Sequence, residues 1–539
     1  AGARRSTRRN SKDHGAVEKA DAAPAPRRGR AAAQPPSSSA KEPTVDRSAA
    51  RAEGSRLASG SGSASAGNKE DPKGAPSKKK ADVFRILVAT DNHLGYKEDD
   101  LVRKDDSFDA FEECFQLAVE KEVDLVLLGG DIFHQNKPSK RTICKTIEIL
   151  RKYCLDATKK VDFRVLNGKE SGVFSSDFKG HSFGGSNGGG SSSGASPSDN
   201  GGGGGGTPLA LPVQSTTGLP AFTIHGNHDD PAGVDQVSPL DILSSSDLLN
   251  YYGKAMIEGE GMGAVKIKPV LLAKGETKVA LFGLGWIKDE RLAKLFEVPG
   301  GVKWCFPEAE ALRREGLMTE QEIEDIGSLD EYFKVFTIHQ NRSHHSPKMC
   351  IKEGLFTPDL DLVIWGHEHE SLCEPVHSEG DNGYMISQPG STVQTALTEG
   401  ESKQKHCMLL EVKNLLWKCT PIPLKSVRPF IFDNLVLREH LGAGSGLGAG
   451  RGAADEDDFR VNLDDKSKEI EKVIEARVEE LLDLLDADGD ASLKKKMPLI
   501  RLRVDYSGYT TINTQRFGQK FVGRVANPND IIIFIKKKD

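Results

Sequence analysis

The sequence predicts an α/β layer fold followed by a smaller α+β unit, and three observations carry that reading. Short apolar runs alternate with helical spacing from position 84 onward, runs of the same kind return up to position 412, and a second alternation follows a Gly/Ala-rich stretch at 442–458. With 539 residues and 37% hydrophobic content, the chain has room for two or three domains. The expected division is a basic tail at 1–80, a larger unit at 81–420 interrupted at 167–218, and a smaller unit at 421–539 interrupted at 442–458.

Residues 1–80 are rich in Ala, Ser, Gly, Pro and Arg, a composition that cannot repay the entropy of folding, so a disordered tail is expected. They carry 18 Lys/Arg against 8 Asp/Glu, whereas residues 81–539 carry 55 against 71. A basic tail suits a solvated end, nucleic-acid contact or nuclear import, with "PSKKK" (76–80) as an import candidate.

The ordered pattern opens with "FRILVAT" (84–90), a strand. Phe108, Phe111, Phe115 and Val119 then follow at helical spacing, "DLVLLGG" (124–130) is a second strand, and Ile143, Ile147, Leu150 and Cys154 share a helical face. A Gly/Ser-rich insertion at 183–206 interrupts this rhythm. Strands resume with "LPAFTIHG", "KVALFGLGW" (278–286), "KVFTIHQ" (334–340), "DLVIWGHEH" (361–369), "YMISQPGS" (384–391) and "HCMLLEV" (406–412). Beyond the linker at 442–458, Ile470, Ile474, Val478, Leu481 and Leu485 stripe a helix, and "PLIRLRVDY" (498–506) alternates apolar with charged residues as a strand does. "DADGD" (486–490) lacks the Gly and Glu spacing of an EF-hand loop and reads as a helix C-terminus.

No apolar stretch approaches the roughly 20 residues that span a bilayer, so no membrane partner is expected and the chain is read as intracellular. The eight cysteines contain no Cys-x-x-Cys pair, which argues against a zinc knuckle or a disulfide framework. An acidic body repels phosphate unless bound cations reverse the local sign.

The residues at the strand ends suggest such cations. Asp91 and His93 come after the first strand, Asp131 after the second, Asn227 and His228 after "AFTIHG", His339 after "KVFTI", and His367 and His369 after "LVIWG". Ligands of α/β sheets gather outside the carboxyl ends of strands, so these side chains are expected to converge. A carboxylate between two divalent cations offsets their repulsion, and imidazoles and an amide oxygen complete each shell, a mixed O/N set that suits Mn²⁺ better than Ca²⁺. In D-x-H and H-x-H the outer residues of an extended tripeptide face one way, which would aim Asp91 with His93, and His367 with His369, into one cavity. Gly129, Gly130, Gly226 and Gly366 would let the backbone turn close beside the metals.

D-x-H, G-D, G-N-H-D, a lone His and G-H-x-H, in this order, resemble the signature of calcineurin-like metallophosphoesterases. The wording around them, "DNHLGY" (91–96), "GGDIFHQNKPS" (129–139), "HGNHDDP" (225–231), "IHQNRS" (338–343), "WGHEHE" (365–370), "QPGST" (388–392) and "LIRLRVDYSG" (499–508), is similar to the eukaryotic meiotic recombination eleven nucleases, related to bacterial SbcD. The resemblance runs from about 84 to 536. It implies a four-layer αββα sandwich at 81–420 with an α+β DNA-binding capping domain at 421–539.

By the same resemblance, one Mn²⁺ (or Mg²⁺) would be held by Asp91, His93, Asp131 and His369, and a second by Asp131, Asn227, His339 and His367. His228 would be the catalytic histidine at the leaving group, with His134 an auxiliary near the phosphate. Arg342, Ser391, Arg501, Arg503 and Lys494 to Lys496 would contact DNA. The family implies 3′ to 5′ exonuclease action on duplex ends and endonuclease action on hairpins and single strands, in the nucleus. Implied partners are an SMC-like coiled-coil ATPase, a second copy of the chain in a homodimer, and nibrin, although 167–218 is mostly Gly and Ser where an aromatic-rich docking loop is expected. Two other readings stay open: a metallo-phosphoprotein phosphatase, whose motifs typically read G-D-x-x-D-R-G and G-N-H-E, and a non-catalytic scaffold for DNA ends.

Overall fold

In the strand Phe84–Ala89, Ile86 and Val88 point one way and Leu87 and Ala89 the other, and all four are fully buried. A strand apolar on both faces must be covered on both, and this one is. In the computed structural model, which describes residues 82–155, 161–168, 218–342, 350–441, 456–487 and 496–537 apart from a few positions within them, it lies inside a six-stranded sheet. Phe84–Ala89 pairs in parallel with Leu125–Leu128, which pairs in parallel with Ala221–Thr223, and on its other side runs antiparallel to His406–Lys413.

A seven-stranded sheet stacks on the first, with Tyr332–His339 parallel to both Thr277–Leu284 and Leu362–Gly366 at its centre. Between the sheets pack Ile86, Val88, Leu125, Leu127 and Phe222 from one side and Val279, Leu281, Val335, Leu362 and Ile364 from the other. Leu87, Ala89, Val126 and Leu128 face outward onto the helices Asp106–Glu120 and Lys140–Cys154. The outer face of the second sheet, including Phe282, Phe336 and Trp365, is covered by Leu292 and Leu295 of Asp289–Glu297 and by Ile323 and Ile326 of Glu320–Ile326. The layers are therefore helix, sheet, sheet, helix, an α/β fold as the strand pattern predicts and in the order that the resemblance implies.

Toward the C-terminus, Phe430–Val436, Leu499–Asp505 and Ile532–Ile535 form a three-stranded sheet, parallel throughout. Parallel neighbours need a crossover, and the long helix Glu456–Ala487 supplies it between the first two strands. Ile470, Ile474, Val478 and Leu481 pack on Ile500, Leu502 and Val504 as the apolar stripe requires, whereas Leu485 is only half-buried.

Some expectations need correction. Val119 is 50% exposed, so the first helix buries Phe108, Phe111 and Phe115 without it. The second helix turns Thr142, Thr146, Ile149, Leu150 and Cys154 inward and leaves Ile143 and Ile147 half-buried, the two inward threonine hydroxyls being satisfied by Glu98 (2.8 Å) and by the Thr142 carbonyl (2.8 Å). The helix expected beyond position 458 starts at Glu456, inside the linker. The tail at 1–80, the Gly/Ser run at 183–206, most of 167–218, the linker at 442–455, residues 488–490 and Lys494 and Lys495 lie outside the described residues.

Candidate metal centre

Both sheets present the carboxyl ends of their central parallel strands to one edge of the sandwich, and there the chain leaves regular structure. The backbone N–H of Asp91 donates to the Gly130 carbonyl (3.1 Å) and that of His93 to the Asp131 carbonyl (2.9 Å), locking the two loops of the first sheet together. The His367 N–H donates to the Asp91 carboxylate (3.1 and 3.2 Å), which ties in the second sheet.

The expected extended geometry of D-x-H and H-x-H is not what aims the side chains. Asp91, His93, Asp131 and His367 have φ of +51°, +47°, +49° and +80°. Left-handed backbone at a non-glycine residue costs about 1–3 kcal/mol and persists where the surroundings over-determine it. Here the interloop hydrogen bonds do so. Close approach also explains two glycines: a Cβ on Gly226 would stand 2.0 Å from Asp131 Oδ1, and one on Gly130, at φ +93°, would stand 2.6 Å from His339 Nδ1.

Among the described residues, Asp91, His93 and His369 offer ligand atoms all within 4.8 Å of one another, as do Asp131, His339 and His367, and also His93, His134 and His228. Asp131 joins the first two groups, its Oδ2 lying 3.3 Å from His339 Nε2 and 3.9 Å from His93 Nε2. Asp91 Oδ1 is 3.8 Å from both His339 Nε2 and His369 Nε2.

The imidazole tautomers are set by what holds the other nitrogen. His339 Nδ1 donates to the Gly129 carbonyl (2.8 Å), His367 Nε2 meets Asn341 Oδ1 (3.0 Å), and His369 Nδ1 meets Glu401 Oε1 (2.7 Å), leaving His339 Nε2, His367 Nδ1 and His369 Nε2 for a ligand. Asn341 is braced in turn by Asp289 (2.7 Å).

These residues fit a pair of divalent cations. Asn227 Oδ1 and His339 Nε2 are buried with no hydrogen-bond partner, an expensive state that cation binding relieves. The Nε2 atoms of His93 and His369 stand 3.1 Å apart, a spacing that needs a proton or a cation at hand. The field of the site points the same way. Burial works against a charged His339, yet Asp131 and Asp91 overcome it and push the imidazole up to about 10. Burial would raise Asp131, but His339 and His93 hold its carboxyl far below the carboxylate range. His367, where burial dominates and His339 adds repulsion, is pushed down to about 3 and so is a neutral donor.

His228 stands beside the cluster. Its backbone N–H donates to Asp131 Oδ1 (2.8 Å), its Nδ1 donates to the His134 carbonyl (2.7 Å), and its ring stacks on that of His134 at 5.1 Å. The four arginine and serine positions expected at DNA are placed less openly. Arg342 pairs with Glu353 (2.8 Å) and Gln388 (3.0 Å). Ser391 is fully buried, its hydroxyl donating to the Val393 carbonyl (2.9 Å), so a direct DNA contact through that side chain is contradicted by its burial. Arg501 donates to the Asp530 carbonyl (2.7 Å), and Arg503 reaches Asn434 (2.5 Å) and Glu399 (3.5 Å). Lys496 binds Asp109 (2.7 Å).

Three buried residues escaped sequence reasoning. Asp229 accepts from Ile132 N–H (2.7 Å) with one oxygen and from Gly226 N–H (2.7 Å) with the other, stitching two ligand loops, and burial followed by the charge of Asp131 pushes it up to about 7. Its place beside Asn227 and His228 was a usable signal. Glu401 and Lys405, against His369, follow no apolar strand and gave none.

Residues 84–166 and 206–371 match the family model of calcineurin-like phosphoesterases, and residues 417–539 match that of the presumed Mre11 DNA-binding domain. The double-strand break repair protein MRE11 of Arabidopsis thaliana is 42% identical over 456 residues, covering 85% of this chain and 55% of that protein. That of Oryza sativa subsp. indica is 42% identical over 456 residues, covering 85% and 56%, and that of Homo sapiens 37% over 460 residues, covering 85% and 55%. The chain spans about half the length of the curated relatives it matches.

Proposed function

We propose that the chain, which is 37–42% identical to double-strand break repair proteins MRE11 and matches the model of calcineurin-like phosphoesterases, is a nuclease of that kind and hydrolyses DNA phosphodiesters at the cluster around Asp131. The observation that carries the reading is the meeting of two ligand groups, each drawing residues from both sheets, at the Asp131 carboxylate. Asp91, His93, Asp131 and His369 would hold one divalent cation and Asp131, Asn227, His339 and His367 the other, with Mn²⁺ or a similar ion better suited to this O/N set than Ca²⁺. When bound, such a pair supplies Lewis-acid charge to the scissile phosphate and activates the attacking water.

The chain's own groups complete the reaction. His228 has its Nδ1–H committed to the His134 carbonyl, so Nε2 is the atom that faces the leaving group, and it delivers a proton to the leaving 3′ oxygen from the imidazolium form, in which both ring nitrogens carry one. His134, stacked on it, restricts the ring to that orientation. The C-terminal residues would seat the duplex, with Arg501 and Arg503 on one strand as contacts once freed from their present partners. We further assign to this reading exonuclease action on duplex ends and endonuclease action on hairpins and single strands, nuclear residence, homodimerisation, and association with an SMC-like ATPase and nibrin.

The test is cleavage of end-labelled duplex and circular single-stranded DNA with Mn²⁺. EDTA is expected to abolish cleavage, and His228→Asn to slow it about 10²-fold or more while leaving DNA binding intact. Cleavage untouched by His228→Asn overturns the role of that residue. Turnover of a phosphopeptide without DNA cleavage favours the phosphatase, and DNA binding without either activity favours the scaffold.

A further inference from the structure

His369 is held more elaborately than the other candidate ligands. Glu401, 1% exposed, accepts from its Nδ1–H through Oε1 at 2.7 Å. The Thr395 hydroxyl lies 2.9 Å from the same Nδ1 and donates to Glu401 Oε1 at 3.1 Å. The second carboxylate oxygen takes the backbone N–H groups of Ala396 and Leu397, each at 2.8 Å. A carboxylate with this many donors cannot swing, so the imidazole plane it fixes cannot swing either. The backbone is pinned as well: the Lys405 ammonium, 1% exposed, donates to the His369 carbonyl (2.8 Å) and to Ser391 Oγ (2.9 Å).

We propose that Glu401 is a positioning residue for the cation site formed by Asp91, His93 and His369, holding His369 Nε2 on target and making the imidazole a stronger donor. The role rests on the metal reading of the cluster and concerns one site of the pair. The other candidate ligand histidines are held differently: His339 Nδ1 leans on a backbone carbonyl, His367 Nε2 on an amide, and His93 Nδ1 is buried with no hydrogen-bond partner. The two sites therefore differ in what orients them, and removing the Glu401 charge should separate them.

The experiment is a titration of the metal-free full chain with Mn²⁺, following free ion by its six-line EPR signal and the coupled pair by its own spectrum. Wild type is expected to bind two ions. Glu401→Gln, which keeps an oxygen for His369 but turns donors toward Ala396 and Leu397, is expected to bind one ion with affinity within about threefold of wild type and the other about 10- to 100-fold more weakly, with the coupled spectrum replaced by that of isolated Mn²⁺. If Glu401→Gln does not fold, Thr395→Val carries the test, with a smaller loss confined to the same site. Wild-type affinity at both sites in a folded variant overturns the proposal. So does equal weakening at both sites, which marks Glu401 as general support. Failure of wild type itself to bind a pair overturns the metal reading, and this proposal with it.

Discussion

At the scale of single residues, the ligand side chains could be read from the sequence because each directly follows a run of buried-type apolar residues, and strand direction then decides where it ends up. The manner of their convergence was not legible. Left-handed backbone at Asp91, His93, Asp131 and His367 depends on hydrogen bonds between loops far apart in the chain, such as His93 N–H to the Asp131 carbonyl. Glu401 was hidden for a related reason, since its link to His369 spans 32 positions and leaves no local pattern. Gly226 makes the loop packing testable. Its missing Cβ would overlap Asp131 Oδ1 at 2.0 Å and Asp131 N at 2.6 Å, so Gly226→Ala must displace either the loop or the shared carboxylate. We expect Gly226→Ala to lower the stability of the metal-free protein by about 1–3 kcal/mol and to weaken Mn²⁺ binding at least about tenfold, read by urea unfolding and metal titration. Unchanged values in both would show that Asp131 has room the structure does not suggest.

Elements were legible wherever one face meets a core and ambiguous where two residue types compete for it. The first helix shows both cases. Phe108, Phe111 and Phe115 are buried against the outer face of the six-stranded sheet, while at the helix end Ala118 takes the buried position and Val119, on the same spacing, lies half in water. In the second helix, Thr146 takes an inward position through a hydrogen bond from its hydroxyl to the Thr142 carbonyl (2.8 Å), which hydropathy cannot foresee. Burial sets the expected cost of truncation. Phe111→Ala should destabilise by about 3–5 kcal/mol, as loss of a fully buried aromatic does, and Val119→Ala by less than about 0.5 kcal/mol. Chemical denaturation of both variants checks the pair, and equal effects would mean that the helix sits in a different rotation.

For the whole molecule, the α/β class followed from apolar runs alternating with helical spacing and the order of layers from the family resemblance, but the seam between the sandwich and the C-terminal sheet was invisible because polar residues build much of it. Gly74–Asp539 form one compact unit, and its seam centres on Asp106, in the first turn of the first helix. Asp106 takes Arg428 through both oxygens (2.7 and 2.8 Å) and has Arg103 and Lys496 at 3.6 Å each. Arg428 also donates to the Met497 carbonyl, and its own carbonyl accepts from Gln394, which begins the segment that reaches Thr395 and Glu401. Leu397 of that segment packs on Phe430 and Leu499. Lys496 has Asp109 as a closer partner (2.7 Å), whereas Asp106 is the carboxylate that Arg428 and Arg103 share, and this asymmetry decides which mutation hurts more. Arg428→Met leaves Asp106 with two cations still near it, whereas Asp106→Ala strands a buried guanidinium among like charges. We expect Asp106→Ala to cost about 3–5 kcal/mol, as breaking a buried pair does, and Arg428→Met clearly less. Because Gln394 and Leu397 anchor the His369 support to the same seam, Asp106→Ala should also speed amide hydrogen exchange at Thr395, Ala396 and Leu397, whose N–H groups Glu401 now holds. Exchange there that stays at the wild-type rate, in a variant destabilised as expected, would show that the seam and the metal ligand are mechanically independent.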